Sequence, residues 1–274
     1  MIPKIISTAI ASSFIASSAN AVLIFGLGSD SRLYAFDSAT PGAVTNIGLT
    51  SGLVDIDVHA VNRTLYGVSS TGLASTINLA NGAQTLVTTP LTALTGVTAM
   101  DFNPFVDRIR LAGTGNNNNR LTPDVQSPTL QQPNGTVSVD GNFTTAGFNV
   151  LGVAYTNPID GTASTSLYSL GSNGFLHIHS VSPQFNTLTQ VGAGLGFTPV
   201  GSGFDIDLLN NGYAYDGTNL RLVNLATGVG TSQGAIGLPG GVSLIGLAVI
   251  PEPASAMLAG LGALGMLGIR RRRN

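Results

Sequence analysis

A strand–turn–strand unit recurs along this chain, and that recurrence limits the fold more than any other feature. Its clearest copy is the segment Val54–Val68, in which Asp57 stands eight residues before Leu65. Asp101 stands eight before Ile109 in the segment Ala99–Leu111, and Asp207 stands eight before Tyr215 in the segment Gly203–Tyr215. A fourth copy, Leu151–Pro158, has an apolar residue at the equivalent place. Each copy pairs a short alternating apolar run with a turn and a second run, which is the pattern of antiparallel strands.

Extending each copy gives four units, at 54–88, 97–140, 150–192 and 203–237. In the first, strand a covers 54–60, b 64–68, c 73–79 and d 84–88. Turn pairs Asn81-Gly, Asn134-Gly, Asp160-Gly, Asn173-Gly and Asp216-Gly punctuate them. A period of about 40–50 residues with four strands per unit matches propeller blades better than solenoid turns. The ends complement each other. Residues 23–27, 32–37 and 44–49 read as strands b, c and d of a unit without strand a, and 244–250 reads as a strand a without its unit. The expectation is an all-β fold, a β-propeller of five four-stranded blades closed by pairing of the N- and C-terminal strands, which leaves no open sheet edge. The alternative on sequence alone is an open β-sandwich.

Three segments follow. Residues 1–21 read as a secretory signal: Lys4, an uncharged run, then Ala19 and Ala21 as a small-x-small cleavage site for signal peptidase. Residues 22–250 are the propeller domain. Residues 251–274 form a tail: Pro251, Glu252 and Pro253, an uncharged apolar run over 254–269, then Arg270, Arg271, Arg272 and Arg273. That run suits transient inner-membrane insertion, with the arginines holding the C-terminus inside. Within 22–250 twelve Asp face six Arg, with no Lys and no Glu, a net charge of −6. Such a surface argues against nucleic-acid binding. Cysteine is absent, so burial alone must hold the fold in an oxidising compartment.

The tail resembles the PEP-CTERM sorting signal of Gram-negative bacteria. That resemblance implies recognition by an exosortase, removal of the tail and delivery to the cell surface or extracellular matrix. Asp101–Arg110, Asn119–Asp124, the 152–157 segment, the 203–206 segment and the closing 246–249 segment resemble a bacterial domain-of-unknown-function family (DUF4394-like) of secreted β-propeller-like proteins. It implies a propeller fold and secretion, with no established activity. The polar run 116–119 departs from the family pattern and is expected to lengthen the b–c turn.

The candidate ligand residues are Asp57, Asp101 and Asp207, with Ala154 and Ala248 completing a set of five on the innermost strands. Converging carboxylates bind hard cations or polar ligands; the competing reading is that each accepts hydrogen bonds from backbone N–H groups of a neighbouring turn. Asp55 and Asp205 add a second carboxylate in two blades. Arg108, Arg110 and Arg120 lie among Asp101, Asp107 and Asp124, and this cluster suits either an acidic glycan or an Asp–Arg lock on a long loop. His177 and His179 alternate on one strand and are expected to face solvent rather than to ligate a metal. No Cys nucleophile or H-E-x-x-H pattern is present. The G-x-G-x-x-G at 260–265 falls in the tail run without a βαβ context. No cofactor is indicated. These features favour a non-enzymatic surface protein associated with exopolysaccharide; the rival is a polysaccharide or phosphoester hydrolase or lyase using Asp residues at the channel mouth.

Overall fold

The computed structural model describes residues 21–126, 131–145, 147–181 and 184–250. The leader through Asn20 and the sorting tail from Pro251, including the expected membrane run, lie outside the described residues. Blade 1 contains β1 Leu23–Gly28, β2 Arg32–Asp37 and β3 Thr45–Leu49; blade 2 contains β4 Leu53–Val58, β5 Leu65–Ser69, β6 Ala74–Ile77 and β7 Gln84–Thr88. Blade 3 is β8 Val97–Asn103, β9 Arg108–Gly113, β10 Asn117–Leu121 and β11 Val137–Val139. Blade 4 is β12 Val150–Tyr155, β13 Leu167–Gly171, β14 Leu176–His179 and β15 Leu188–Val191. Blade 5 is β16 Phe204–Ile206, β17 Gly212–Tyr215, β18 Asn219–Val223 and β19 Gly230–Ala235. The final strand, β20 Leu244–Val249, returns to blade 1.

The chain is a five-bladed propeller closed by its own ends. β20 pairs antiparallel with β1, so the first sheet reads β20-β1-β2-β3. The other four sheets are antiparallel meanders in chain order. One sequence expectation fails locally: Asn117–Asn119 are ladder residues of β10, not turn. The b–c turn is instead compressed into Thr114–Asn116, which Gly115 permits by taking φ +69°.

Strand periodicity explains the core. On β20, Leu247 and Val249 point into the seam with blade 5, and Ala248, one step out of phase, points into the seam with blade 2. All five apolar clusters sit between adjacent blades. Inner strands are therefore buried on both faces, as in β4, whereas outer strands such as β19 are largely exposed. Near the axis the strands approach so closely that side chains are excluded. A Cβ on Gly246 would lie 2.5 Å from Oδ1 of Asp55, and one on Gly152 would lie 2.9 Å from the Ser202 carbonyl oxygen. Among the described residues no helix is long and apolar enough to cross a membrane.

Candidate functional site

Inner strands of neighbouring blades do not form a ladder with one another, so their N–H groups need other acceptors. Aspartates on the a strands supply them. Asp55 and Asp57 on β4 accept from the N–H groups of Met100 (2.8 Å) and Phe102 (2.7 Å) on β8. Asp101 on β8 accepts from Tyr155 of β12 at 3.1 Å, and Asp205 on β16 accepts from Val249 of β20 at 2.5 Å. Each carboxylate thus stitches its blade to the next one round the ring.

This pattern corrects the register read from the sequence. The residue equivalent to Asp57 and Asp101 is Asp205, which stands opposite Tyr213 as Asp57 stands opposite Tyr66. Asp207 lies beyond the end of β16, where its carboxylate accepts from the N–H groups of Leu209 and Asn211 and from the Asn211 amide. The a–b turn of blade 5 is one residue shorter, with Ile206 pairing Gly212 where Val58 pairs Leu65. The spacing of eight therefore matched Asp207 to Tyr215 by coincidence.

Oxygens of Asp57, Asp101 and Asp205 lie within 4.8 Å of one another, all buried. Burial pushes the Asp57 carboxyl up to about 7. Burial, and then repulsion from Asp57 and Asp205, raises Asp101 well above the usual carboxylate range. Burial raises Asp205 as well, with Asp57 adding to the effect. Asp55 is raised by burial against the pull of its backbone donors. The set has the oxygen donors a hard cation takes. It can equally be satisfied by shared protons, since each carboxylate already holds a backbone N–H.

Above this axis, at the end where the a strands begin, lies a mouth of about 620 Å³. Every blade contributes one equivalent residue to it: Ile245, Val54, Thr98, Leu151 and Ser202. Thr114, Asn149, Val150 and the backbone of Gly113, Gly115 and Gly201 complete the wall, so no lining side chain is ionisable. Ser202 reaches across the axis, its one hydroxyl proton shared between the carbonyls of Val54 (3.3 Å) and Ile245. The mouth offers hydroxyl, amide and apolar contacts in a ring.

The arginine cluster lies away from this mouth. Arg110 is fully buried: its guanidinium donates to Asp140 at 2.6 Å, to Asn118 at 2.5 Å and to the Tyr155 hydroxyl at 3.0 Å, and it covers the Phe185 ring. Arg120 closes on the same Asp140 with two bonds of 2.7 Å. Arg108 is buried against Gln126, which its guanidinium meets at 3.0 Å. Asp140, the residue that joins Arg110 to Arg120, carried no sequence signal, because 30 residues separate it from Arg110. The histidines also differ from expectation. His177 and His179 are both buried, the first stacked on Phe148 and the second bonded to the Phe185 carbonyl and the Ser169 hydroxyl. Burial drives His179 down to about 3. The segments that cover them come from outside their strand, so the strand pattern alone could not show the burial.

Residues 32–248 match the family described as "Domain of unknown function (DUF4394)". The chain belongs to that family. Residues 249–273 match the PEP-CTERM protein-sorting motif, which implies processing by an exosortase during export and indicates secretion toward the cell surface of a Gram-negative bacterium. No curated protein matches the chain. Similar solved structures include a protein of unknown function from Bacteroides thetaiotaomicron (12% identity, TM-score 0.45, covering 74% of this chain and 55% of that one). An auxiliary nutrient binding protein from Bacteroides ovatus matches at 13% identity and TM-score 0.46, over 74% of this chain and 54% of that one. The WD40 repeats of RRP9 match at 12% identity and TM-score 0.41, over 66% and 50%. The DUF4394 chain spans about half the length of these structures.

Proposed function

We propose that this propeller is a non-enzymatic binding protein of the cell surface, associated with exopolysaccharide through the five-blade mouth. The observation that carries the reading is the lining of that mouth. Hydroxyls, amides and backbone groups interleaved with apolar side chains suit the hydroxyl-rich, weakly apolar surface of a neutral sugar. Glycoside hydrolysis needs two carboxyl groups beside the scissile bond. The carboxylates nearest the mouth lie beneath it, buried and holding neighbouring backbone N–H groups. Arg110 is enclosed in protein and Arg120 is committed to Asp140, which turns the reading from acidic toward neutral polymer.

The test is a glycan array and a polysaccharide-hydrolysis screen on the purified protein, beside the Asn149→Ala and Thr114→Ala variants. Binding to neutral glycans that falls several-fold in the variants, with melting temperatures unchanged, supports the reading. Release of reducing ends or phosphate from polymer would replace it with the hydrolase reading.

A further inference from the structure

Four of the five blades close their a and b strands with a turn on the face opposite the mouth. Blade 1 has no such turn, because β20 ends and β1 begins there, and the Ile250 N–H donates to the Leu23 carbonyl at 2.9 Å. Both chain ends therefore leave the propeller at the position of the missing turn. The tail that follows Ile250 has three residues, Pro251 to Pro253, before its uncharged apolar run begins at Ala254. Even fully extended, three residues span only about 10 Å. Whenever that run is in a bilayer, this face is held against the bilayer surface.

The turns on this face carry side chains suited to that position. Phe105 at the blade 3 turn is 48% exposed, Ile159 at the blade 4 turn 44% and Leu209 at the blade 5 turn 55%. Leu23, beside the exit point, is 41% exposed. The blade 4 and blade 5 turns are joined by reciprocal bonds between Asn157 and Asn210, which holds Ile159 and Leu209 on a common rim. Exposed charge on these four turns amounts to Arg63 and Asp160, one of each sign. Exposed apolar side chains occur elsewhere on the surface too, Leu91 and Val139 among them, but these stand on the one face from which the tail leaves.

We propose that the a–b turn face is a lipid-contact surface, which seats the tail-bearing propeller on the membrane with its mouth pointing away. Phe105, Ile159 and Leu209 enter the headgroup–acyl boundary, where such side chains lie about 5–10 Å deep. This inference does not depend on what the mouth binds.

The chain has no cysteine, so single labels can be placed cleanly. An environment-sensitive fluorophore is attached at Phe105→Cys, Ile159→Cys or Leu209→Cys, and at Thr114→Cys or Asn149→Cys on the opposite face, each checked by its melting temperature. The tail-bearing chain is reconstituted in phosphatidylethanolamine–phosphatidylglycerol vesicles carrying a lipid-bound nitroxide quencher. Blue-shifted emission and several-fold stronger quenching at 105, 159 and 209 than at 114 and 149 is the expected result. A second chain carries a flexible Gly/Ser linker of about twenty residues after Ile250, reaching roughly 25 Å. Quenching that persists with the linker shows that the face itself holds lipid; quenching lost with the linker shows a tether alone and overturns the proposal. Equal quenching on both faces overturns it too, as does self-quenching between labelled copies without lipid, which would assign the face to a second copy of the chain.

Discussion

Two of the places where the molecule buries charge neutralise it in opposite ways. Along the axis, carboxylates on neighbouring blades share space with one another and are met by backbone N–H groups. In the seam between blades 3 and 4, a single carboxylate, Asp140, is met by two guanidinium groups. The first arrangement leaves negative charge to be cancelled by protons, so it responds to pH. The second is compensated within the protein and is locked. Removing one member of a buried ion pair leaves an uncompensated charge; removing one carboxylate from a crowded set relieves repulsion while orphaning a donor.

The sharpest way to break this contrast is Asp140→Ala, which strands Arg110 in the interior. Loss of about 3–5 kcal/mol in urea unfolding is expected, and a loss below about 1 kcal/mol would show that the lock is not electrostatic.

The next test acts on the axis. A carboxyl raised from 3.8 to about 7 contributes stability that is complete below the lower value and lost as pH rises through the upper one. Relative to Asp57→Asn, which also relieves Asp101 and Asp205, the native protein should lose stability as pH rises from about 4 to about 7. His179 runs the other way, being stabilising above about 6.5 and losing its contribution as pH falls toward about 3. That contribution is common to both proteins and cancels in the difference. A flat difference would remove the proton-sharing account.

Asp207→Ala sharpens the comparison from outside it. This carboxylate holds its own turn and the Tyr213 hydroxyl of the same blade, so its loss should cost about 1–3 kcal/mol and leave the pH dependence of the axis untouched. An altered pH profile would return Asp207 to the axial set. The smallest expected effect is that of a divalent cation. Calcium at a hundredfold excess over its Kd would add about 2.7 kcal/mol if it bound the native axis. Because the carboxylates already hold backbone donors, a calcium titration should leave the melting temperature unmoved; a clear rise would assign the axis to a cation.

The architecture was legible because each blade repeats the same local instructions. Alternating apolar residues set which strand faces meet the seams, and Asn-Gly and Asp-Gly pairs set turns. The leftover strand at 244–250 could be satisfied only by the unit lacking one. The site was less legible. Both Asp205 and Asp207 lie on the same face of their strand by parity, and choosing between them required the length of the turn that follows.

What the sequence by itself determined was the period of the chain: five blades, the closing partner of β1, and a sorting tail joined directly to the last strand. These rest on interactions between neighbours in sequence, or on one unmatched strand with one available place. Only the tertiary structure decided which aspartates converge, that Asp140 is the residue binding Arg110 and Arg120, and that His177 and His179 are covered rather than exposed. Each of these depends on groups tens of residues apart meeting at a seam between blades. A one-residue change in a turn redirects such meetings without disturbing the repeat that announces the fold.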